Sequence, residues 1–491
     1  MYLYAKGIKP NRRSCMRTVS KTVIGVDFGT QSARAVLVNA ENGEIIYSCR
    51  KEYPYNSTPV PAIDCAENLP CATDYEMTLY ELLRNVIPEE YRKTVAGICI
   101  DATSLTMVLL AEDGRALSEL DGWSEAAHAR VKLWKYHRAQ EKADEALNLA
   151  SNLQEPFLGR TGGSISCEWM LPKLLEVRDE APEIYSKIDL AMDLCEFLTF
   201  RLTGQLVRSI GSLSYKCLWA EDLSFPERTF LNGLRAGFYE EYCHFLRGDV
   251  RKPGECAGML RSELTKRWGL PEQIPVATGM LDGHTSLATM GAFEPGDAAL
   301  IVGTSNVCTV QDRKLQELKD VCGVAQEGMV TGSCGIDTGQ SSTGNMLGWF
   351  VEHMAGWQIH REAEERKISP HQVLAERIQK PWENKVIAVD WWSGSRNAPC
   401  DLTLRGSMSG LEMDTKTEDI YLALLQAIAC GTGTILESLS GQGVEIRRVL
   451  ATGGITEKNP LLMQEYANLL RRDVLVAKTA EGPALGAAMF A

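Results

Sequence analysis

Two stretches far apart in the chain have the same form: a short apolar strand, a Gly-Thr turn and an apolar return strand. The first runs Val23-Ile24-Gly25-Val26-Asp27, turns through Gly29-Thr30-Gln31-Ser32 and returns along Ala35-Val36-Leu37-Val38. The second runs Ala298-Ala299-Leu300-Ile301-Val302 into Gly303-Thr304-Ser305-Asn306 and returns along Val307–Val310. Short apolar runs bounded by turn residues are strand signals. Their recurrence points to an internal duplication into two domains, each opening with a hairpin whose turn faces a shared cleft. Phe293-Glu294-Pro295-Gly296 is a turn-forming stretch, so the expected domains are 22–293 and 294–491. Residues 1–21 carry six basic and no acidic side chains and no signal-like apolar run, which predicts a flexible extension.

Other segments fill in an α/β pattern. Asn42-Gly43 marks a second turn, so the chain opens with a three-strand meander. Val95–Ile100 is a strand ending in Asp101, and Val108–Ala111 before Asp113-Gly114 reads as a hairpin arm. Residues 124–150 have helical spacing at Val131, Leu133, Trp134 and Tyr136, with further helices expected near 168–178 and 190–203. A strand at 275–280 ends in Leu281-Asp282-Gly283-His284. Thr415 and Glu418 form a capping-box pattern before a long amphipathic run, and Asn459-Pro460 opens another helix after Val449-Leu450-Ala451.

With 491 residues, 45% hydrophobic and 23% charged, the chain has ample material for large cores. Its net charge of −13 argues against broad binding to nucleic acid or anionic membranes. It leaves room for a polyanion held by local backbone N–H groups and a metal ion. The 15 Cys include no Cys-x-x-Cys, as expected of thiols in a reducing cytoplasm, and no uninterrupted apolar run suits a membrane helix.

Three places could do chemistry. Asp27 closes a strand before a Gly-Thr turn, where backbone N–H groups can converge on phosphate and a carboxylate can hold Mg²⁺ through water. An ordinary hairpin with Asp at its edge uses the same residues; the second turn at Gly303-Thr304 favours two loops on one polyphosphate. Thr452-Gly453-Gly454 with Asn459 suits a nucleotide lying on bare backbone, or is a plain strand-to-helix loop. Asp282 could accept the proton of an attacking hydroxyl, or could simply cap a helix. Neither Gly-x-Gly-x-x-Gly nor Gly-x-x-x-x-Gly-Lys-Ser/Thr occurs, and the seven His show no zinc-ligand pair. Trp134, Trp391 and Trp392 could stack on a sugar, but packing in a core or interface is the stronger reading for each.

Taken together these motifs resemble the FGGY carbohydrate kinases, and within them the ribulokinase branch. The resemblance runs from about Thr22 to Ala491 and rests on Gly25–Thr30, Asp101-Ala102-Thr103-Ser104, Leu133-Trp134-Lys135, Glu168-Trp169, Tyr215-Lys216, Asp282-Gly283-His284, Gly303-Thr304-Ser305, Gly339-Gln340-Ser341, Asp390-Trp391-Trp392 and Ala484–Ala488. It implies two duplicated actin-like (ribonuclease-H-like) domains with a central ATP and sugar cleft. It also implies Asp282 as catalytic base and Asp27 as the magnesium-side carboxylate. Thr30, Gly303 and Thr304 would contact phosphates; Gly344, Gly453, Gly454 and Asn459 would hold the nucleoside; Ser104, Lys216, Asp282 and Asp337 would surround the sugar. Asp337 stands where that branch has Glu, Ala102 where it has Phe, Ser164 where it has Lys and His128 where it has Asn, and relatives continue for several tens of residues beyond the position of Ala491.

The expected reaction is transfer of the γ-phosphoryl group of MgATP to a ketopentose, with L-ribulose, a product of L-arabinose breakdown, as leading substrate. D-Ribulose or L-xylulose kinase activity, or a non-catalytic sugar- and nucleotide-binding regulator, are the alternatives. The expected partners are the sugar and ATP, with a homodimer as the candidate assembly and no nucleic acid or membrane.

Overall fold

A computed structural model describes residues 20–53, 69–379, 384–396, 400–401, 403–477 and 481–491; most of the expected N-terminal extension lies outside them. The chain divides into two compact units. The larger contains described residues up to 289 together with 325–334 and 481–491, and the smaller contains 290–324 and 335–477.

The larger unit is built on the strands β1 (Thr22–Phe28), β2 (Ser32–Asn39), β3 (Ile45–Glu52) and β4 (Val95–Ala102). The first three form the expected meander, and β4 lies parallel to β1. The turn between β1 and β2 is closed by Gly29 N donating to Ser32 O at 3.2 Å and held by the Tyr53 hydroxyl donating to Gly29 O at 2.8 Å. The pairs β5 (Met107–Leu110) with β6 (Leu190–Asp193), antiparallel, and β7 (Val207–Ser209) with β8 (Asp249–Arg251), parallel, stand beside the main sheet. That sheet is completed by β9 (Cys256–Met259), β10 (Pro275–Ala277) and β11 (Met280–Leu281), in the order β3-β2-β1-β4-β10-β9, with β11 also paired to β4.

The helix Gly482–Phe490 from the end of the chain lies directly on β1 and β4. Small residues allow this contact. A Cβ on Gly25 would stand 1.9 Å from Ala484 O, and one on Gly486 would stand 2.0 Å from Thr285 O. Close-packed interiors leave no room for such an atom without a shift of backbone.

Two local expectations need correction here, and a third is extended. Residues 124–139 form turns, and the helix occupies Gln140–Leu153. The apolar spacing at 131–136 instead serves a segment bridged to β5, with Met107 N donating to Lys132 O at 2.8 Å and Lys132 N to Met107 O at 3.1 Å. Val108–Leu110 pairs with β6 and also turns back as a short hairpin, with an antiparallel bridge from Leu110 to Ala116 and Ala111 N donating to Arg115 O at 2.9 Å. The stretch 190–203 opens as strand β6 and becomes helical only at Leu194.

The smaller unit is built on β12 (Asp297–Val302), β13 (Asn306–Asp312), β14 (Gly323–Gln326, whose last two residues fall in the larger unit), β15 (Cys334–Gln340, whose first residue does), the short antiparallel pair β16 (Ile387–Ala388) and β17 (Met408–Ser409), β18 (Arg448–Thr452) and β19 (Val474–Val476). Its six-stranded sheet has the order β14-β15-β13-β12-β18-β19. The second Gly-Thr hairpin is β12–β13, antiparallel, and β18 runs parallel beside β12. The helix Thr417–Gly441 begins one residue later than the capping pattern suggested: Lys416 N donates to Asp419, while Thr415 accepts from Glu412 N. Its length and apolar composition would suit a membrane span, but Tyr421, Leu424, Leu425 and Ile428 are buried in the core of this unit.

Candidate active site

In the larger unit the carboxyl ends of three adjacent parallel strands bring acids together. The register places Asp27 on β1 opposite Asp101 on β4, and Met280 and Leu281 on β11 opposite Asp101 and Ala102. Asp282 follows directly and starts the helix Asp282–Met290. Ligands of open parallel sheets bind at this end, where strands hand over to loops and helices.

The three acids differ in surroundings. Asp101 is fully buried, and its carboxyl accepts from Thr285 Oγ1 at 3.1 Å. Burial first, then the charges of Asp27 and Asp282, hold its pKa well above the usual carboxylate range. Asp27, 7% exposed, is pushed up to about 6 by burial, against the opposing effects of its hydrogen bond with Asp101 and of Arg34 across the hairpin. Burial thus pushes both carboxyls up, Asp101, the more deeply buried, further than Asp27. Asp282 is partly exposed, and one carboxylate oxygen accepts from Gly283 N at 2.7 Å. His284 is buried with its ring edge-on to Tyr215, 5.0 Å between centroids, as expected of a structural histidine.

Ser104 and Lys216 belong to the same unit. Ser104 follows β4, and its hydroxyl is buried with no hydrogen-bond partner among the described residues. Such an orphan costs roughly 1–3 kcal/mol unless a ligand or water satisfies it. Lys216 ends the helix Ile210–Lys216, which packs on β11 just before Asp282. The Trp134 indole N–H donates to Thr30 Oγ1 at 3.1 Å, tying the Leu-Trp-Lys segment to the first Gly-Thr turn.

The smaller unit gathers most of the expected nucleotide residues. The helix Gly344–Met354 starts against the second turn: Gly344 N donates to Gly303 O at 3.0 Å, Thr343 Oγ1 to Gly303 O at 2.8 Å and Asn345 N to Thr304 O at 3.2 Å. A Cβ on Gly344 would stand 2.6 Å from Gly303 O, so only glycine admits this approach. Gly453, at φ +115°, leaves β18 with its Cα close enough that a Cβ would stand 2.4 Å from Val302 O. Gly303, Thr304, Gly344, Gly453 and Gly454 therefore surround one end of the β12–β18 pair.

Asn459 is buried at the start of the helix Pro460–Leu470, where its oxygen accepts from Leu462 N at 3.1 Å and its amide donates to the Tyr421 hydroxyl at 3.0 Å. Its side chain thus caps that helix and ties its start to the helix Thr417–Gly441. Asp337 lies buried on β15. Trp392 is wedged against Gly406, where a Cβ would come within 2.1 Å of the indole, which favours packing over sugar stacking at that position.

From sequence alone Asp101 is a motif residue with no role assigned to it. The signal was present: a strand ending in Asp in the same manner as β1. Among the described residues no group of three or more His, Cys, Asp and Glu is arranged to hold a metal ion by itself.

Comparison with known proteins matches two consecutive stretches of the chain. Residues 22–289 match the N-terminal domain of the FGGY family of carbohydrate kinases, and residues 298–491 match its C-terminal domain. The chain is 35% identical over 482 residues to a ribulokinase of Halalkalibacterium halodurans, covering 96% of this chain and 86% of that one. It is 36% identical over 487 residues to a ribulokinase of Mycolicibacterium smegmatis, covering 96% and 85%. Its fold is similar to a xylulose kinase from Rhodospirillum rubrum (TM-score 0.75, 21% identity, covering 96% and 89%). A glycerol kinase from Plasmodium falciparum is similar to the same degree (TM-score 0.75, 18% identity, covering 96% and 89%).

Proposed function

The chain belongs to the FGGY family of carbohydrate kinases, and from that premise we propose that it phosphorylates the terminal hydroxyl of a ketopentose, L-ribulose, to give L-ribulose 5-phosphate. The observation that carries this reading is the row of acids at the ends of β1, β4 and β11, with the most exposed of them, Asp282, at the start of a helix. In the reaction the sugar oxygen forms a bond to the γ-phosphorus of ATP. The bond to the β-phosphate oxygen breaks, and ADP leaves with the electron pair. The hydroxyl proton passes to the Asp282 carboxylate.

Phosphoryl transfer asks mainly for positioning and charge stabilisation, and a carboxylate base contributes a modest share. In the larger unit Thr30 contacts phosphate, and Ser104, Lys216 and Asp282 contact the sugar. In the smaller unit Gly303 and Thr304 contact phosphate, Gly344, Gly453 and Gly454 lie against the nucleoside with Asn459 capping the helix Pro460–Leu470, and Asp337 serves the sugar. Ser104 has the unsatisfied hydroxyl that a polyol would complete.

A magnesium ion fits beside Asp27. The nearby donors are hard carboxylate oxygens, and Mg²⁺ takes its remaining ligands from water and phosphate rather than needing a full protein cage. When bound, the ion neutralises charge on the phosphates. Asp101, by giving its proton to Asp27, fixes the orientation of that carboxylate.

The test is ADP release from MgATP with L-ribulose, D-ribulose, L-xylulose, D-xylulose and glycerol as separate acceptors. Fastest turnover with L-ribulose is expected. Activity confined to glycerol or D-xylulose, or calorimetric binding of sugar and ATP without ADP release, would overturn the assignment.

A further inference from the structure

Leu105, the residue after Ser104, has φ +48°, a left-handed conformation that a leucine adopts only when its surroundings impose it. Both polar groups of Leu105 are held by buried ionisable side chains. Its N–H donates to Asp193 Oδ2 at 3.0 Å, and its carbonyl accepts from Lys173 Nζ at 3.0 Å. Both side chains are 0% exposed.

Each of these side chains also reaches a second segment. Lys173 Nζ donates to Leu133 O at 2.9 Å and Lys132 O at 3.4 Å, just before Trp134. Asp193 Oδ2 accepts from Ser212 Oγ at 2.8 Å, on the helix that ends in Lys216. Three backbone carbonyls take the three N–H groups of the ammonium. Burying an amine this way is costly, and burial lowers its pKa to about 7. A fold that needed only stability would place an apolar side chain there.

We infer that Lys173 and Asp193 are positioning residues for the sugar: they clamp the Leu105 peptide from both sides and so fix Ser104 relative to the Lys216 helix and the Trp134 segment. The inference rests on the assignment of Ser104 and Lys216 to the sugar. Neither clamp residue needs to touch substrate. Their effect is to hold the Ser104 hydroxyl unsatisfied and in place, so that less ordering remains to be done when sugar binds.

The test compares sugar kinetics of Lys173→Met, Asp193→Ala and Asp193→Asn with the wild type. Loss of either side of the clamp should raise the KM for L-ribulose about tenfold or more while kcat falls less than about threefold. Asp193→Asn keeps an acceptor for Leu105 N–H and should restore a KM close to that of the wild type. A merely structural role would lower the yield of folded enzyme and leave KM unchanged, and that result overturns the inference. A second measurement needs no variant: hydrogen exchange in the wild-type chain. The Leu105 amide should exchange at least about 100-fold more slowly than exposed turn amides; exchange at the rate of an exposed turn shows that the clamp is open and overturns the inference even if the variants do not fold. If wild-type enzyme phosphorylates no ketopentose, the proposed function falls and takes the sugar role with it, while exchange at Leu105 still decides whether the clamp exists.

Discussion

Asp27 and Asp101 stand opposite each other on neighbouring parallel strands, and their carboxyl groups share a hydrogen bond. Two buried acids facing each other cannot both ionise cheaply, so the proposed arrangement has Asp101 as a neutral donor to Asp27. Asparagine at 101 mimics that neutral donor. Asp101→Asn should therefore keep kcat/KM within about tenfold of wild type, whereas Asp101→Ala should lose about 100-fold or more. Equal losses in steady-state kinetics of the two variants would contradict the proton assignment.

The indole of Trp134 holds the Thr30 hydroxyl in one orientation. Trp134→Phe keeps most of the ring and removes the N–H. One hydrogen bond of ordinary strength corresponds to a rise of about two- to tenfold in the KM for MgATP. An unchanged KM for MgATP would show that Thr30 needs no such support.

The helix Gly482–Phe490 packs on β1 and β4, with the Gly25 Cα against its backbone. Gly486→Ala would drive a methyl group into Thr285 O, and Thr285 is the residue that donates to Asp101. The expected cost is about 2 kcal/mol or more in chemical denaturation, together with a fall in kcat. A variant of full stability and activity would mean that the helix can lift off β1 freely.

Burial, followed by the charge of Glu196, pushes Asp193 up to about 7 from an ordinary 3.8. Its proton is thus held more tightly in the folded than in the unfolded chain. The stabilisation from this site is complete below about 3.8 and is lost as pH rises through about 7. Between pH 5.5 and 8 the wild type should lose on the order of 1–2 kcal/mol that Asp193→Asn does not lose. Parallel urea titrations at the two pH values measure the difference, and identical slopes for both proteins would contradict it.

Much of this arrangement was legible in the sequence because it depends on local signals. The two Gly-Thr hairpins, Asp27 and Asp282 at strand ends, and Asn459-Pro460 at a helix start are each written in a few consecutive residues. What escaped was set by contacts distant in sequence. Asp101 becomes part of the acid row only through the parallel pairing of β4 with β1 and β11. Residues 131–136 have helical spacing, yet the bridge to Met107 and the Lys173 hydrogen bonds hold them as turns. The Gly and Ala pattern at 484–488 gives no hint that its partner is Gly25, since close approach is a property of two surfaces rather than of one segment.

The most direct measurement is turnover of L-ribulose by Asp282→Asn, with MgATP binding followed by calorimetry on the same preparation. Asparagine keeps the size of the side chain and removes its ability to take the hydroxyl proton. The predicted result is unchanged affinity for MgATP with kcat lowered about 1,000-fold. Turnover at the wild-type rate would remove Asp282 from the role of base and contradict the account.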